Sequence, residues 1–170
     1  HLVTPSVLQL PAASIDPAIK HRSRLHYYLA DLEASRIAPA ARAVLLDEQG
    51  RLTETAAASF LLVSGQRVTA PSAATVLPGI SAGVVEELCQ ATGLGFNQRD
   101  LWPDDVRDAD EALVASTPYC LGPVTRFNGT DVGNGKPGPV YNQLMTAWDQ
   151  LVGIDVRSQV HRGAAKRCGP

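Results

Sequence analysis

The chain has 170 residues, of which 45% are hydrophobic and 19% charged, and its net charge is −2. That length and balance fit one domain with a substantial core, and the absence of a basic block or stripe argues against a nucleic-acid partner. The longest apolar runs, residues 43–46 and 60–63, are far too short to span a bilayer.

Cys89, Cys120 and Cys168 are widely spaced. This pattern fits a reduced, cytoplasmic protein better than a disulfide framework. The sequence opens at His1 without a signal-peptide pattern. Residues 1–11 are apolar and punctuated by Pro5 and Pro11, so residues 1–18 read as a linker and entry strand, with the strand at residues 7–10. Residues 23–37 carry a helical pattern, with Leu25, Tyr28, Leu29, Leu32 and Ile37 mostly three or four apart. Residues 42–46 and 51–55 flank an Asp-Glu-Gln-Gly turn and predict a hairpin. Residues 59–63 and 67–69 continue the meander across Ser64-Gly65-Gln66.

A second helix is predicted from Ser81 to Ala91, with Val84, Val85, Leu88 and Ala91 inward and Gly93 as its stop. Strands follow at residues 95–99, 111–115 and 123–127, with a helical turn at 103–106. Asn128-Gly129 is a strong hairpin turn signal. Residues 139–152 predict the last helix, buried through Val140, Leu144, Ala147, Trp148 and Leu151. Residues after Arg157 read as a frayed polar tail, placed at 158–170. The order of elements argues for an α+β fold with a barrel-like antiparallel or mixed sheet flanked by helices.

Four landmarks can carry chemistry. Of the lysines, Lys136 sits in a Gly-Pro loop and Lys166 in the tail, whereas Lys20 lies between an apolar stretch and the first helix. There its amine could project into a pocket and act as a nucleophile, or simply be solvated. Glu54 stands at the end of a short strand beside Ala56, Ala57 and Ala58. A carboxylate among small residues can approach a planar ring closely, or it can cap a hairpin edge. Gly79, Ile80 and Ser81 open a helix, where free N–H groups and the helix dipole favour an anion; Ser81 also suits a plain N-cap. Ser116 and Thr117 place two hydroxyls at a strand end, suited either to a phosphate or to a turn. The histidines show no metal-ligand spacing. The glycine-rich stretch 133–139 lacks the ending of a nucleotide loop.

An amine, a carboxylate, a ring of backbone N–H groups and a hydroxyl are the groups that hold pyridoxal phosphate. In this order they resemble the class IV aminotransferases, the fold-type IV pyridoxal-phosphate enzymes, over residues 7–152. The most specific pieces are residues 44–60, Leu77-Pro78-Gly79-Ile80-Ser81, Ala-Asp-Glu-Ala-Leu-Val-Ala-Ser-Thr at 109–117, and residues 133–140. The resemblance implies a D-amino-acid-aminotransferase-like large domain at residues 19–157. It also implies that Lys20 forms the internal aldimine and shuttles a proton, and that Glu54 pairs with the pyridine nitrogen. Gly79, Ile80, Ser81, Ser116 and Thr117 would hold the phosphate. A homodimer acting on an amino acid and a 2-oxo acid follows from the same resemblance.

Several departures accompany it. Ser81-Ala82 stands where the family usually has Thr-Arg, Ser59 stands where asparagine is common, and the family's smaller N-terminal domain is not expected within these 170 residues. His21, Arg24 and Leu25 resemble the aminodeoxychorismate lyases, so release of pyruvate and 4-aminobenzoate is an alternative to amino transfer. A non-catalytic binding or assembly module is a third reading.

Overall fold

The computed structural model describes residues 1–167. In chain order the elements are β1 (Leu2–Val3), α1 (Leu25–Ile37), β2 (Arg42–Leu46), β3 (Leu52–Thr55), β4 (Ser59–Ser64), β5 (Arg67–Ala70), α2 (Ile80–Thr92) and β6 (Gly95–Gln98). They continue as α3 (Pro103–Arg107), β7 (Glu111–Ser116), β8 (Cys120–Val124), β9 (Arg126–Phe127), β10 (Thr130–Asp131), α4 (Pro139–Val152) and α5 (Val156–Arg167). The ten strands join one mixed sheet in the order β10-β9-β1-β2-β3-β4-β5-β6, with β7 and β8 branching off β4. The sheet runs as an open path and does not close into a barrel.

Strand β4 is the hub. Its first residue, Ser59, pairs with Glu54 of β3, its last three pair with β5, and residues 59–63 pair with β7. Its side chains alternate between two cores, as strand geometry requires. Leu61 and Val63 pack with α2 and α4, whereas Phe60 and Leu62 face Leu101 and Val106. A strand buried on both faces reads as a continuous apolar run, and Phe60-Leu61-Leu62-Val63 is one.

Helix α1 turns the opposite face inward from the one its large apolar residues suggest. Tyr27, Ala30 and Ala34 are buried against β1 and β2, while Leu25 and Tyr28 are 64% and 63% exposed, and Leu29 and Ile37 are exposed too. Two alanines at a four-residue spacing let the helix backbone lie close to Ala41, Ala43 and Leu45, where bulkier side chains would hold it off.

Other elements shift. Residues 7–10 form no strand; Gln9 keeps a single sheet-like bond, its N–H donating to the Leu46 carbonyl at 2.8 Å, and the pairing strand is Leu2–Val3. Pro5 and Pro11 remove donors from this stretch. The expected strand at 123–127 divides into β8 and β9. Residues 158–167 continue helix α5, with Val156 and Val160 against the core, and residues 168–170 of the expected tail lie outside the described residues. Leu151 and Ala91 face outward, and Tyr141 and Met145 take inward positions on α4. Asn128 and Gly129 adopt φ of 48° and 82° and pair Phe127 with Thr130, the tight hairpin expected of that dipeptide. Cys89 and Cys120 are free thiols, and Cys168 lies outside the described residues. Among the described residues no helix is long and apolar enough to cross a membrane.

A buried carboxylate starts α4. Glu111 Oε1 accepts from the Val140 N–H at 2.7 Å and Oε2 from the Tyr141 N–H at 3.0 Å. Gly138 makes room for it, since a Cβ there would lie 2.2 Å from Glu111 Cδ. The carboxylate satisfies two donors that a helix start leaves open, and it complements the helix dipole. Glu111→Ala should therefore lower the unfolding free energy by about 3 kcal/mol and Glu111→Gln by roughly half that, read from urea midpoints with an unchanged slope.

Candidate active site

Three backbone segments converge at one end of β4. Glu54, the third residue of β3, pairs with Ser59 across a short turn. Ser59 pairs on its other side with Ala115, one residue before Ser116. The start of α2 is packed onto the same point: a Cβ added at Gly79 would lie 2.6 Å from the Ser59 hydroxyl, so glycine is the residue that admits this approach. The extended Gly79 backbone opens α2 with no side chain capping it. The amide groups of the first helical turn are thus left open to an anion. Ser81 is buried in that turn, and Ile80 is largely exposed.

A cavity opens beside this junction. It is lined by Gln9, Lys20, His21, Arg24, Tyr27, Glu54 and Leu77, among others. Lys20 and Glu54 therefore share one space, which ends two residues short of Gly79. The enclosed space is about 20 Å³, room for little more than a water. One wall is the mostly exposed loop of residues 11–21.

Glu54 is 9% exposed. Its Oε1 accepts from the Tyr27 hydroxyl at 2.7 Å and from Gln9 Nε2 at 3.4 Å. Burial pushes its pKa above the ordinary value, and hydrogen bonds from Tyr27 and the Leu77 amide, with Arg24 nearby, act against that shift. Burial and the neighbouring Glu54 charge likewise drive the Tyr27 phenol far up, so it remains a donor. Arg24 sits 4.4 Å over the Tyr27 ring and donates to the Ala56 carbonyl.

The hydroxyls are placed less uniformly. Ser116 is buried and donates to the Ala57 carbonyl at 2.6 Å, which ties β7 to the β3–β4 turn. Thr117 is exposed in the turn that follows. Gln9 is a site residue that the sequence reading misses, although it is the one polar residue interrupting an apolar run. Tyr27 stands in the sequence with His26 and Tyr28 on the helix after Lys20, a group that suits the pocket, a dimer partner or the core, and the structure puts its hydroxyl on Glu54.

The donor set suits a phosphorylated, nitrogen-containing ring. A buried carboxylate without an ion-pair partner among the described residues faces a lysine across the cavity, an uncapped helix start lies beside it, and His21 Nδ1 is buried with no hydrogen-bond partner. Among the described residues no cluster of acidic, histidine or cysteine side chains could hold a metal ion.

The sequence pattern of the amino-transferase class IV family matches residues 1–127. The chain belongs to the class IV amino-transferases. Within the family it is 32% identical over 150 residues to branched-chain-amino-acid aminotransferase-like protein 2 of Arabidopsis thaliana, covering 88% of this chain and 27% of that protein. It is 33% identical over 105 residues to the D-alanine aminotransferase of Bacillus licheniformis, covering 61% of this chain and 37% of the relative. Among solved structures it resembles the T.th. branched-chain amino acid aminotransferase complexed with N-(5'-phosphopyridoxyl)-L-glutamate, with a TM-score of 0.83 and 25% identity, over 89% of this chain and 52% of that one. The chain thus spans about a quarter to a third of these curated relatives.

The raised pKa of Glu54 has a direct consequence for stability. A carboxyl whose folded-state pKa lies above its unfolded value destabilises the fold once the pH exceeds the unfolded pKa, and is neutral below it. Glu54→Gln should therefore unfold at a higher temperature than the wild type at pH 8. The gap should close toward pH 4, as read from thermal midpoints across that range.

Proposed function

We propose that this chain forms the cofactor-holding part of a pyridoxal-phosphate-dependent enzyme that transfers an amino group from an amino acid to a 2-oxo acid. The observation that carries this reading is the convergence of Glu54, Ser59 and Gly79 at one end of β4, with Lys20 across the adjoining cavity. When bound, pyridoxal phosphate supplies an aldehyde carbon for amine exchange and an electron-withdrawing ring. Glu54 would pair with the ring nitrogen and keep it protonated. The open amides of Ile80 and Ser81 after Gly79, helped by the Thr117 hydroxyl, would hold the phosphate. Ser116 serves first to fix the turn carrying Ala57, and supports the phosphate through its position beside Thr117. Lys20 would capture the aldehyde and then act as the base that moves the proton between the two carbons.

The relatives support amino transfer, and the T.th. enzyme was solved with a phosphopyridoxyl-glutamate ligand, a cofactor joined to an amino acid. The lyase alternative rests on His21, Arg24 and Leu25. Arg24 is committed to the Ala56 carbonyl and the Tyr27 ring, and Leu25 points to solvent, so amino transfer is the stronger reading. A cytoplasmic homodimer is proposed on the same family grounds.

Adding excess pyridoxal phosphate to the wild-type chain should produce a visible absorption band that Lys20→Ala lacks while keeping its fold by circular dichroism. Identical spectra for the two proteins would remove Lys20 from the role.

A further inference from the structure

Glu54 can serve a ring nitrogen only if its carboxylate is held in one orientation, and the structure shows what holds it. The Tyr27 hydroxyl donates to Glu54 Oε1 at 2.7 Å, and Gln9 Nε2 reaches both the Tyr27 oxygen at 2.9 Å and Glu54 Oε1 at 3.4 Å. Gln9 is itself pinned. Its backbone N–H donates to the Leu46 carbonyl at 2.8 Å, and its Oε1 takes the Leu10 N–H at 3.2 Å and faces His26 Nε2 at 3.1 Å. The Tyr27 ring contacts both the Arg24 guanidinium, 4.4 Å from its centroid, and the His26 ring, whose centroid is 4.0 Å away. Gln9, Tyr27 and Glu54 are all buried, so none of the three has water as an easy alternative partner.

We propose that Tyr27, backed by Gln9, is a positioning residue that turns the Glu54 carboxylate so that Oε2 stays free for the cofactor's ring nitrogen. Both side-chain donors act on Oε1, and even with the Leu77 amide as a further donor the carboxylate has lone-pair capacity left. The phenol also favours the charged carboxylate against the burial that opposes it. Tyr27 lies seven residues after Lys20, so the loop that carries the lysine runs directly into the helix turn that carries the phenol. The side chains that Tyr27 meets are Gln9, Arg24, His26 and Glu54. Its effect passes through Glu54.

This assignment rests on the cofactor reading above, and equilibrium binding to the cofactor-free chain separates the two. Tyr27→Phe removes one hydroxyl from a buried ring and should weaken pyridoxal phosphate binding roughly tenfold, the scale of one hydrogen bond to a charged group. Gln9→Ala should weaken it in the same direction by roughly two- to threefold, and it carries the comparison should Tyr27→Phe not fold. The same titrations with the analogue in which a C–H replaces the ring nitrogen should show no difference between variant and wild type. In a Glu54→Gln background Tyr27→Phe should cause no further loss, since the coupling runs through that carboxylate. Equal losses for both ligands, or unchanged affinity for pyridoxal phosphate, would overturn the assignment and leave the cofactor reading standing. No binding by the wild-type chain would overturn both.

Discussion

The burial of one carboxylate governs this site. Glu54 sits where water is largely excluded, and its hydrogen bonds come from a phenol, a side-chain amide and the Leu77 amide, none of which carries a charge. Such a group costs the fold stability unless a cation or a protonated ring completes it. An apolar residue there would take the acceptor away from the buried Tyr27 hydroxyl and from the Leu77 amide. Under the proposed function, a protonated ring nitrogen is the partner that would complete the carboxylate, with Lys20 lining the same cavity.

The sheet delivers that carboxylate to its neighbours. Because β4 pairs with β3 at its first residue and with β7 along its length, Glu54, Ser59 and Ala115 lie in one row. Helix α2 docks onto the end of the row through Gly79, where any side chain would meet the Ser59 hydroxyl. The serine at 59 and the glycine at 79 are thus one packing unit, although twenty positions separate them. The two-sided burial of Phe60 to Val63 fixes the strand that carries them, and the Glu111 cap anchors the helix on the far side of β7. The residues proposed to hold the phosphate and the ring stand mostly on strands and a helix start. Lys20 instead comes from an exposed loop.

Much of this is legible in the sequence. The Asn-Gly hairpin, the apolar run of β4 and the Gly93 stop of α2 each carry a local signal strong enough to survive tertiary context. Lys20, Glu54 and Gly79 are legible as a set because their order resembles a known family. The orientation of α1 is not legible, because periodicity gives a stripe of large residues but does not say that two alanines make the better seat against β2. Gln9 and the Tyr27–Glu54 bond are hidden for a related reason. Their partners are 18 to 45 residues apart, and no pattern along the chain encodes a contact across the fold. The tail reads as frayed because its polar composition outweighs Val156 and Val160, two residues sufficient to seat a helix.

The chain corresponds to about half of the solved amino-transferase it resembles. A crystal structure of the chain soaked with pyridoxal phosphate is the most direct test. The ring nitrogen is expected within hydrogen-bond distance of Glu54, about 2.8 Å, with the phosphate on the Ile80 and Ser81 amides. A phosphate bound away from α2, or a ring whose nitrogen faces away from Glu54, would contradict the site.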